Sequence, residues 1–166
     1  MTSFIGTIYQ RGGRLIDARI IQPKQRPDRR IVGTSRNQGY KRTRPALVPL
    51  VHLLLNGPHE VYDIDGTPVP LPKGKKPMMV APGTRWKLPT TRYVGRVVPG
   101  ANGKFEWEIR SRNGNLVFSS HNQGYDRAGK VKPDGTVAKG TALATLVALA
   151  HGADHTVDFD LRVEAA

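Results

Sequence analysis

The sequence contains no cysteine, and this absence removes several classes of protein at once. Disulfide frameworks, zinc ribbons and catalysis by a thiol all require cysteine. Long apolar runs are also missing, because the longest candidate, 46–55, is interrupted by Pro49 and His52 and is shorter than the roughly 20 residues of a membrane span. The first residues lack the charged and then apolar layout of a secretory signal. We therefore expect a soluble protein made in a cytoplasm, which is the host cytoplasm if the chain is phage-encoded.

Acidic residues are scarce relative to basic ones. The chain has 13 Asp and Glu against 26 Lys and Arg, which gives a formal net charge of +13. Such an excess on a small chain favours polyanions as partners, although charge alone says nothing about the fold. Solubility and docking onto an acidic protein are the alternatives that this charge leaves open.

Sequence motifs of catalysis are also missing. The chain has no P-loop, no dinucleotide fingerprint, no nucleophile elbow and no His-Glu-x-x-His helix. Two pairs of acidic residues share a strand face by alternation, Glu106 with Glu108 and Asp158 with Asp160, and we interpret both as solvent-facing. We therefore predict no enzymatic activity, no bound metal and no cofactor.

One short phrase occurs twice in the chain, at Ser35–Tyr40 (SRNQGY) and at Ser120–Tyr125 (SHNQGY). A helical pattern and then a histidine-led strand follow each copy in the same order. The matching segments are 46–53 with 142–149 and 59–61 with 155–157. The second copy carries an additional loop, 126–140, in a position where insertions cost little. The sequence thus predicts an internal duplication, with His59 and His155 as caps at the starts of strands.

Hydrophobic periodicity predicts the elements of each copy. Strands are expected at 3–9, 15–22, 28–34, 60–64, 93–98, 105–110, 116–119 and 155–163. A first helix is expected at 45–55, stopped by Asn56-Gly57-Pro58, and a second begins after a cap at Gly140 or Thr141 and ends at Gly152. Within 15–22, Ile16, Ala18 and Ile20 alternate with Asp17 and Arg19, which we place on the outer face of a half-buried strand.

The predicted fold class is α+β. We expect two tandem βββαβ repeats, each an antiparallel sheet packed on one helix, in a pseudo-two-fold arrangement. The repeats span 1–65 and 86–166, with a linker rich in proline and lysine at 66–85. Because one such repeat is marginal alone, the two can share a core as one compact domain.

The second copy resembles a known family over Phe105 to Ala128. It contains a Phe-x-Trp-x-Ile strand, an Arg-x-Asn-Gly-Asn-Leu-Val hairpin, a serine and a Gly-Tyr turn before a helix. This pattern is similar to the YegP-like domains of unknown function. The resemblance implies small α+β units that occur as tandem repeats or dimers, and it implies no settled activity. The first copy matches only over 31–55, and both copies insert Asn-Gln before Gly-Tyr.

Basic loops surround both phrases, and they predict the partner. Arginine and lysine suit phosphate contacts, while Asn and Gln suit base edges. The candidate nucleic-acid-binding residues are Arg26, Arg29, Arg30, Arg36, Asn37, Gln38, Lys41, Arg42, Arg44, Asn122, Gln123, Arg127, Lys130 and Lys132. We interpret Gly39 and Tyr40 as a structural turn instead.

The sequence therefore predicts a non-enzymatic nucleic-acid-binding protein, with DNA favoured over RNA. The alternative is a protein-interaction module, such as an inhibitor or assembly protein of phage origin, that docks an acidic partner. No membrane association is expected. Both a monomer with internal pseudo-symmetry and a homodimer are consistent with the duplication.

Overall fold

The computed structural model describes residues 4–10, 15–23, 31–35, 40–71, 92–120, 124–151 and 155–163. These residues form an α+β fold with one mixed sheet of eight strands and two helices, so the predicted fold class is confirmed. The strands are β1 (Ile5–Gln10), β2 (Ile16–Ile21), β3 (Ile31–Thr34), β4 (Glu60–Tyr62), β5 (Tyr93–Pro99), β6 (Phe105–Ser111), β7 (Leu116–Ser119) and β8 (Thr156–Val163). The helices are α1 (Thr43–Asn56) and α2 (Ala142–His151). Within these ranges no helix combines the length and apolar character that crossing a bilayer requires.

The eight strands lie in the order β4-β5-β6-β7-β3-β2-β1-β8. Strands β1 to β3 and strands β5 to β7 form two antiparallel meanders, and the pair Thr34 and Ser119 joins β3 to β7. The strand after each helix then pairs in parallel with the first strand of the other meander, β4 with β5 and β8 with β1. This differs from the prediction of an antiparallel sheet in each repeat. In the six-stranded sheet that the two meanders form, β1 and β5 are the outer strands. Their outward backbone groups need partners, which β8 and β4 supply.

The core lies between the helices and one face of the sheet. Helix α1 packs on β1, β2 and β8, and α2 packs on β5 and β6. Fully buried members of this core include Trp107 and Ile109 from β6, Leu50 from α1 and Leu146 from α2. The alternation along Phe105–Ser111 thus places Trp107 and Ile109 on the core face of β6. The opposite face of the sheet is therefore free of helices within the described ranges.

One end of each helix has a signal that the sequence predicts. Gly57 follows α1 with φ of 62° and donates its N–H to the carbonyl of Leu53, as a glycine after a helix commonly does. The Thr141 hydroxyl accepts the N–H of Ala144 at 3.2 Å and caps α2. Helix α1 begins two residues before Pro45, and the predicted stop at Gly152 lies outside the described residues.

Two predicted strands and the predicted linker match the described residues only in part. The predicted strand 60–64 ends at Tyr62, because the Asp63 carboxylate accepts the N–H groups of Asp65 and Thr67 and closes a turn there. The predicted strand 28–34 is described only from Ile31. The predicted linker, 66–85, is described only as far as Leu71, and the rest of it lies outside the described ranges.

The placement of Asp17 on a solvated face is wrong. Its side chain is 1% exposed and accepts a hydrogen bond from Nε of Arg19 at 2.8 Å. The Arg19 guanidinium in turn lies 4.1 Å from the centre of the Tyr9 ring. Alternation predicts which face of a strand a side chain occupies, and it does not predict whether that face is open to water.

Candidate nucleic-acid interface

The serine that opens each repeated phrase binds the backbone of the neighbouring strand. The Ser35 hydroxyl accepts the N–H of Ala18 at 2.7 Å. The Ser120 hydroxyl accepts the N–H of Trp107 at 2.8 Å. Both serines are buried. Each hydroxyl thus satisfies a buried backbone donor that would otherwise carry a desolvation penalty.

The tyrosine that closes each phrase is fixed by its backbone. Tyr40 exchanges two backbone hydrogen bonds with Ile16, and Tyr125 exchanges two with Phe105. These contacts tie the end of each phrase to the second strand of its meander. They are contacts of a structural turn between sheet and helix.

Glu106 has a structural contact that the sequence did not indicate. Its carboxylate accepts hydrogen bonds from the Ser120 hydroxyl and from the N–H of Gly124. The interpretation of Glu106 as an ordinary solvent-facing glutamate is therefore wrong. The carboxylate instead bridges the two ends of the phrase at 120–125.

Three predicted contacts of the first copy, Lys41, Arg42 and Arg44, are exposed at the beginning of α1. The first turn of this helix contains no acidic residue, and Arg42 provides no side-chain cap. Backbone N–H groups at such a position attract anions. Eight other predicted contacts lie outside the described residues: Arg26, Arg29, Arg30, Arg36, Asn37, Gln38, Asn122 and Gln123.

The predicted contacts of the second copy lie in the loop between β7 and α2. The Nζ atom of Lys130 lies 2.6 Å from a carboxylate oxygen of Asp65, and this hydrogen bond and charge raise the pKa of Lys130. In a turn, the Lys132 N–H donates to the Thr136 carbonyl and the Lys132 carbonyl accepts the N–H of Gly135. Arg127 is exposed. The cavity that Arg92, Arg96, Arg110 and Arg112 line includes none of these three residues. It also includes none of Lys41, Arg42 and Arg44.

Four arginines converge on a cavity on the face of the sheet that is opposite the helices. The cavity has a volume of about 590 Å³ and is called the arginine cavity below. Its lining residues are Glu60, Arg92, Val94, Arg96, Arg110, Ser111, Arg112 and Gly114. Glu60 lines the cavity and Glu108 binds Arg110, so two carboxylates against four guanidinium groups leave two net positive charges.

Strand register brings these residues together. Val94 on β5 pairs with Glu60 on one side and with Arg110 on the other. Successive side chains on a strand point to opposite faces, so Arg92, Val94 and Arg96 share one face while Tyr93 and Val97 are buried in the core. An ordinary amphipathic strand thus presents its arginines in one row.

Arg110 is the most firmly held of the four. Its guanidinium donates two hydrogen bonds to the Glu108 carboxylate, at 2.8 and 3.2 Å, and one to the Gly114 carbonyl at 2.8 Å. The bond and the charge of Glu108 also raise the pKa of Arg110. Three of the five N–H groups of the guanidinium are engaged, which leaves two for a ligand.

The other three arginines differ in how they are held. The Arg96 guanidinium lies 4.6 Å from the centre of the Tyr62 ring, an arrangement that fixes its plane. Arg92 forms an ion pair with Glu60 at 3.5 Å, with both side chains about half exposed. No hydrogen bond or ion pair with another described residue engages Arg112, which is exposed.

Sequence reasoning missed the arginine cavity. Its arginines are spread over 92–112 and resemble the solvated face of two amphipathic strands. The available signal was the alternation of side chains along a strand. It places Arg92 and Arg96 on one face at β5, and Arg110 and Arg112 on one face near the end of β6. Only the pairing of β5 with β6 makes them neighbours.

Comparison of the chain with protein-family models, with curated proteins and with solved structures finds no match. The resemblance to YegP-like domains therefore stays a prediction. Within the described ranges, no group of three or more His, Asp or Glu side chains is arranged to hold a metal ion.

Proposed function

We propose that this chain is a non-enzymatic nucleic-acid-binding protein and that the arginine cavity is one of its phosphate contacts. The observation that carries the proposal is the convergence of four arginines on one solvent-open cavity with a single lining carboxylate. Guanidinium groups bind phosphate oxygens through paired hydrogen bonds and stay charged at all physiological pH values.

The net charge of +13 and the exposed cations at the start of α1 support the same function. Long-range attraction by such a surface accelerates encounter with a polyanion. We propose that the basic loops of the repeated phrases add further phosphate contacts, as the sequence predicts. Binding of this kind depends steeply on salt and weakly on base sequence.

We further propose that the chain arose by duplication and that its halves exchange their last strands. The Nδ1 atom of His59 accepts the N–H of Tyr93 at 3.1 Å, and that of His155 accepts the N–H of Phe4 at 3.0 Å. Each histidine thus caps the beginning of the other half's first strand. The matching contacts of the two serines and the two tyrosines support the same origin.

The alternative function is docking of an acidic protein, since carboxylates also form paired hydrogen bonds with arginine. A pull-down from nuclease-treated lysate distinguishes the two functions. We expect nucleic acid to co-purify with the chain from untreated lysate. After nuclease treatment we expect neither nucleic acid nor a stoichiometric protein to remain bound to the chain. A stoichiometric protein that survives the nuclease would instead support the alternative.

A gel-shift titration of the purified protein with unrelated single-stranded and duplex oligonucleotides tests the proposal directly. We expect retarded complexes with several sequences and weaker binding as salt is raised. Absence of any complex at low salt would contradict the proposed function.

A further inference from the structure

The arginine cavity is open to solvent and is large enough to hold a compact ligand. The edge strand β4 supplies Glu60 on one side, and the turn Ser111–Gly114 borders it on another. Its volume of about 590 Å³ falls within the range of pockets that hold whole small molecules, which is roughly 300–1,000 Å³.

The charge of the cavity also exceeds what one phosphodiester requires. Arg92 is paired with Glu60 and Arg110 with Glu108, so Arg96 and Arg112 leave a net charge of two. A phosphodiester group carries only one negative charge. A phosphate monoester carries about −1.5 to −2 and offers three acceptor oxygens. The two remaining donors of Arg110, together with Arg96 and Arg112, match such a group.

Groups suited to the rest of a nucleotide lie beside these arginines. Tyr62 and the Arg96 guanidinium are stacked, and aromatic rings and guanidinium planes both stack on unpaired bases. Val94 provides an apolar surface within the cavity, and the Glu60 carboxylate can accept a hydrogen bond from a sugar hydroxyl or a base amino group.

We infer that the arginine cavity binds the terminal nucleotide of a single strand through its end phosphate. This inference rests on the proposed nucleic-acid binding and adds a preference for phosphorylated ends. Arg96, Arg110 and Arg112 hold the phosphate, and the guanidinium plane of Arg96, backed by the Tyr62 ring, supports the base.

Fluorescence anisotropy on the full chain tests this preference with oligonucleotides of one sequence in four forms. They carry a 5′ phosphate, a 3′ phosphate, hydroxyl groups at both ends, or no ends because the strand is circular. We expect one phosphorylated form to bind at least about tenfold more tightly than the hydroxyl and circular forms, since charge-assisted hydrogen bonds to phosphate are among the strongest.

Arg112→Ala should remove this preference, because it removes one of the arginines that hold the end phosphate. Arg112 is exposed, so its loss does not disturb the sheet. Lys139→Ala, which removes one exposed charge outside the arginine cavity, should retain it. Equal binding of all four forms would overturn the inference and leave the proposed function intact. Failure of every form to bind would overturn both.

Discussion

Thr34 on β3 pairs directly with Ser119 on β7, and each residue immediately precedes the buried serine of a repeated phrase. The two meanders are thus joined where the chain leaves the sheet in both halves. Ser35 and Ser120, on either side of this junction, bind the adjacent strands through their hydroxyl groups. The junction therefore depends on side-chain hydrogen bonds as well as on strand pairing.

Replacing either serine should destabilise the protein. Ser35→Ala leaves the buried N–H of Ala18 without its acceptor, and Ser120→Ala does the same to Trp107. We expect each change to lower the free energy of unfolding by about 1–3 kcal/mol, as measured by urea denaturation. Ser111→Ala, at a partly exposed position, serves as the control and should change stability by less than about 0.5 kcal/mol. Equal effects at all three positions would contradict this role of the hydroxyl groups.

Gly6→Ala should lower the free energy of unfolding more than Gly95→Ala does. A Cβ atom at Gly6 would lie 2.7 Å from Leu54 and 2.8 Å from the Cγ atom of Leu50, so α1 would have to move away from β1. A Cβ atom at Gly95 would lie 3.0 Å from a terminal methyl group of Leu146, which can rotate. We expect a loss of about 1–3 kcal/mol for Gly6→Ala and a smaller loss for Gly95→Ala in thermal unfolding. The reverse order would contradict the packing described for α1.

Removal of two arginines from the arginine cavity should reduce the salt dependence of nucleic-acid binding. For Arg96→Ala/Arg112→Ala we expect the slope of log affinity against log salt to fall by about 2, close to one unit for each lost phosphate contact. The matched control is Lys104→Ala/Lys139→Ala, which removes two exposed charges that lie outside this cavity and are not among the predicted contacts. If the control lowers the slope equally, binding reflects net charge and not this cavity.

Stability should fall at alkaline pH because of Tyr93. Burial, and to a smaller extent the charge of Tyr40, raise the pKa of Tyr93 from 10.0 to about 12. The folded-state pKa of Tyr93 is above its unfolded value. The stability that the buried, neutral Tyr93 phenol contributes is therefore complete below pH 10 and is lost as pH rises towards 12. Urea denaturation across this interval should show the decline. Tyr93→Phe keeps the ring next to His52 and His59 but should make the decline smaller.

Much of this fold could be predicted from local sequence. The alternation over 105–110 and the turn Asn113-Gly114 define β6, the hairpin and β7 with small errors at the ends. The strand order could not be predicted, because it depends on contacts between distant segments. The N–H of Phe4 binds His155, which is 151 residues away, and no local pattern encodes that pairing.

In the candidate site, too, features of the local sequence could be predicted and features that depend on strand pairing could not. Lys41, Arg42 and Arg127 are predicted contacts because they surround a repeated phrase, and all three side chains are exposed. The arginine cavity was not found, since Arg96 and Arg110 become neighbours only through strand register. The burial of Asp17 was missed for a related reason, because single-strand alternation carries no information on what covers each face.

The parallel pairing of the first and last strands has a mechanical consequence. Strands β1 and β8 run side by side in the same direction, with Ile5 opposite Thr156 and Gln10 opposite Val163. A force applied to the two ends of the chain would load the hydrogen bonds between these strands together, in shear, instead of breaking them one after another. The protein should therefore resist stretching from its ends more strongly than it resists pulling on the loop between β6 and β7, where the antiparallel pair can unzip.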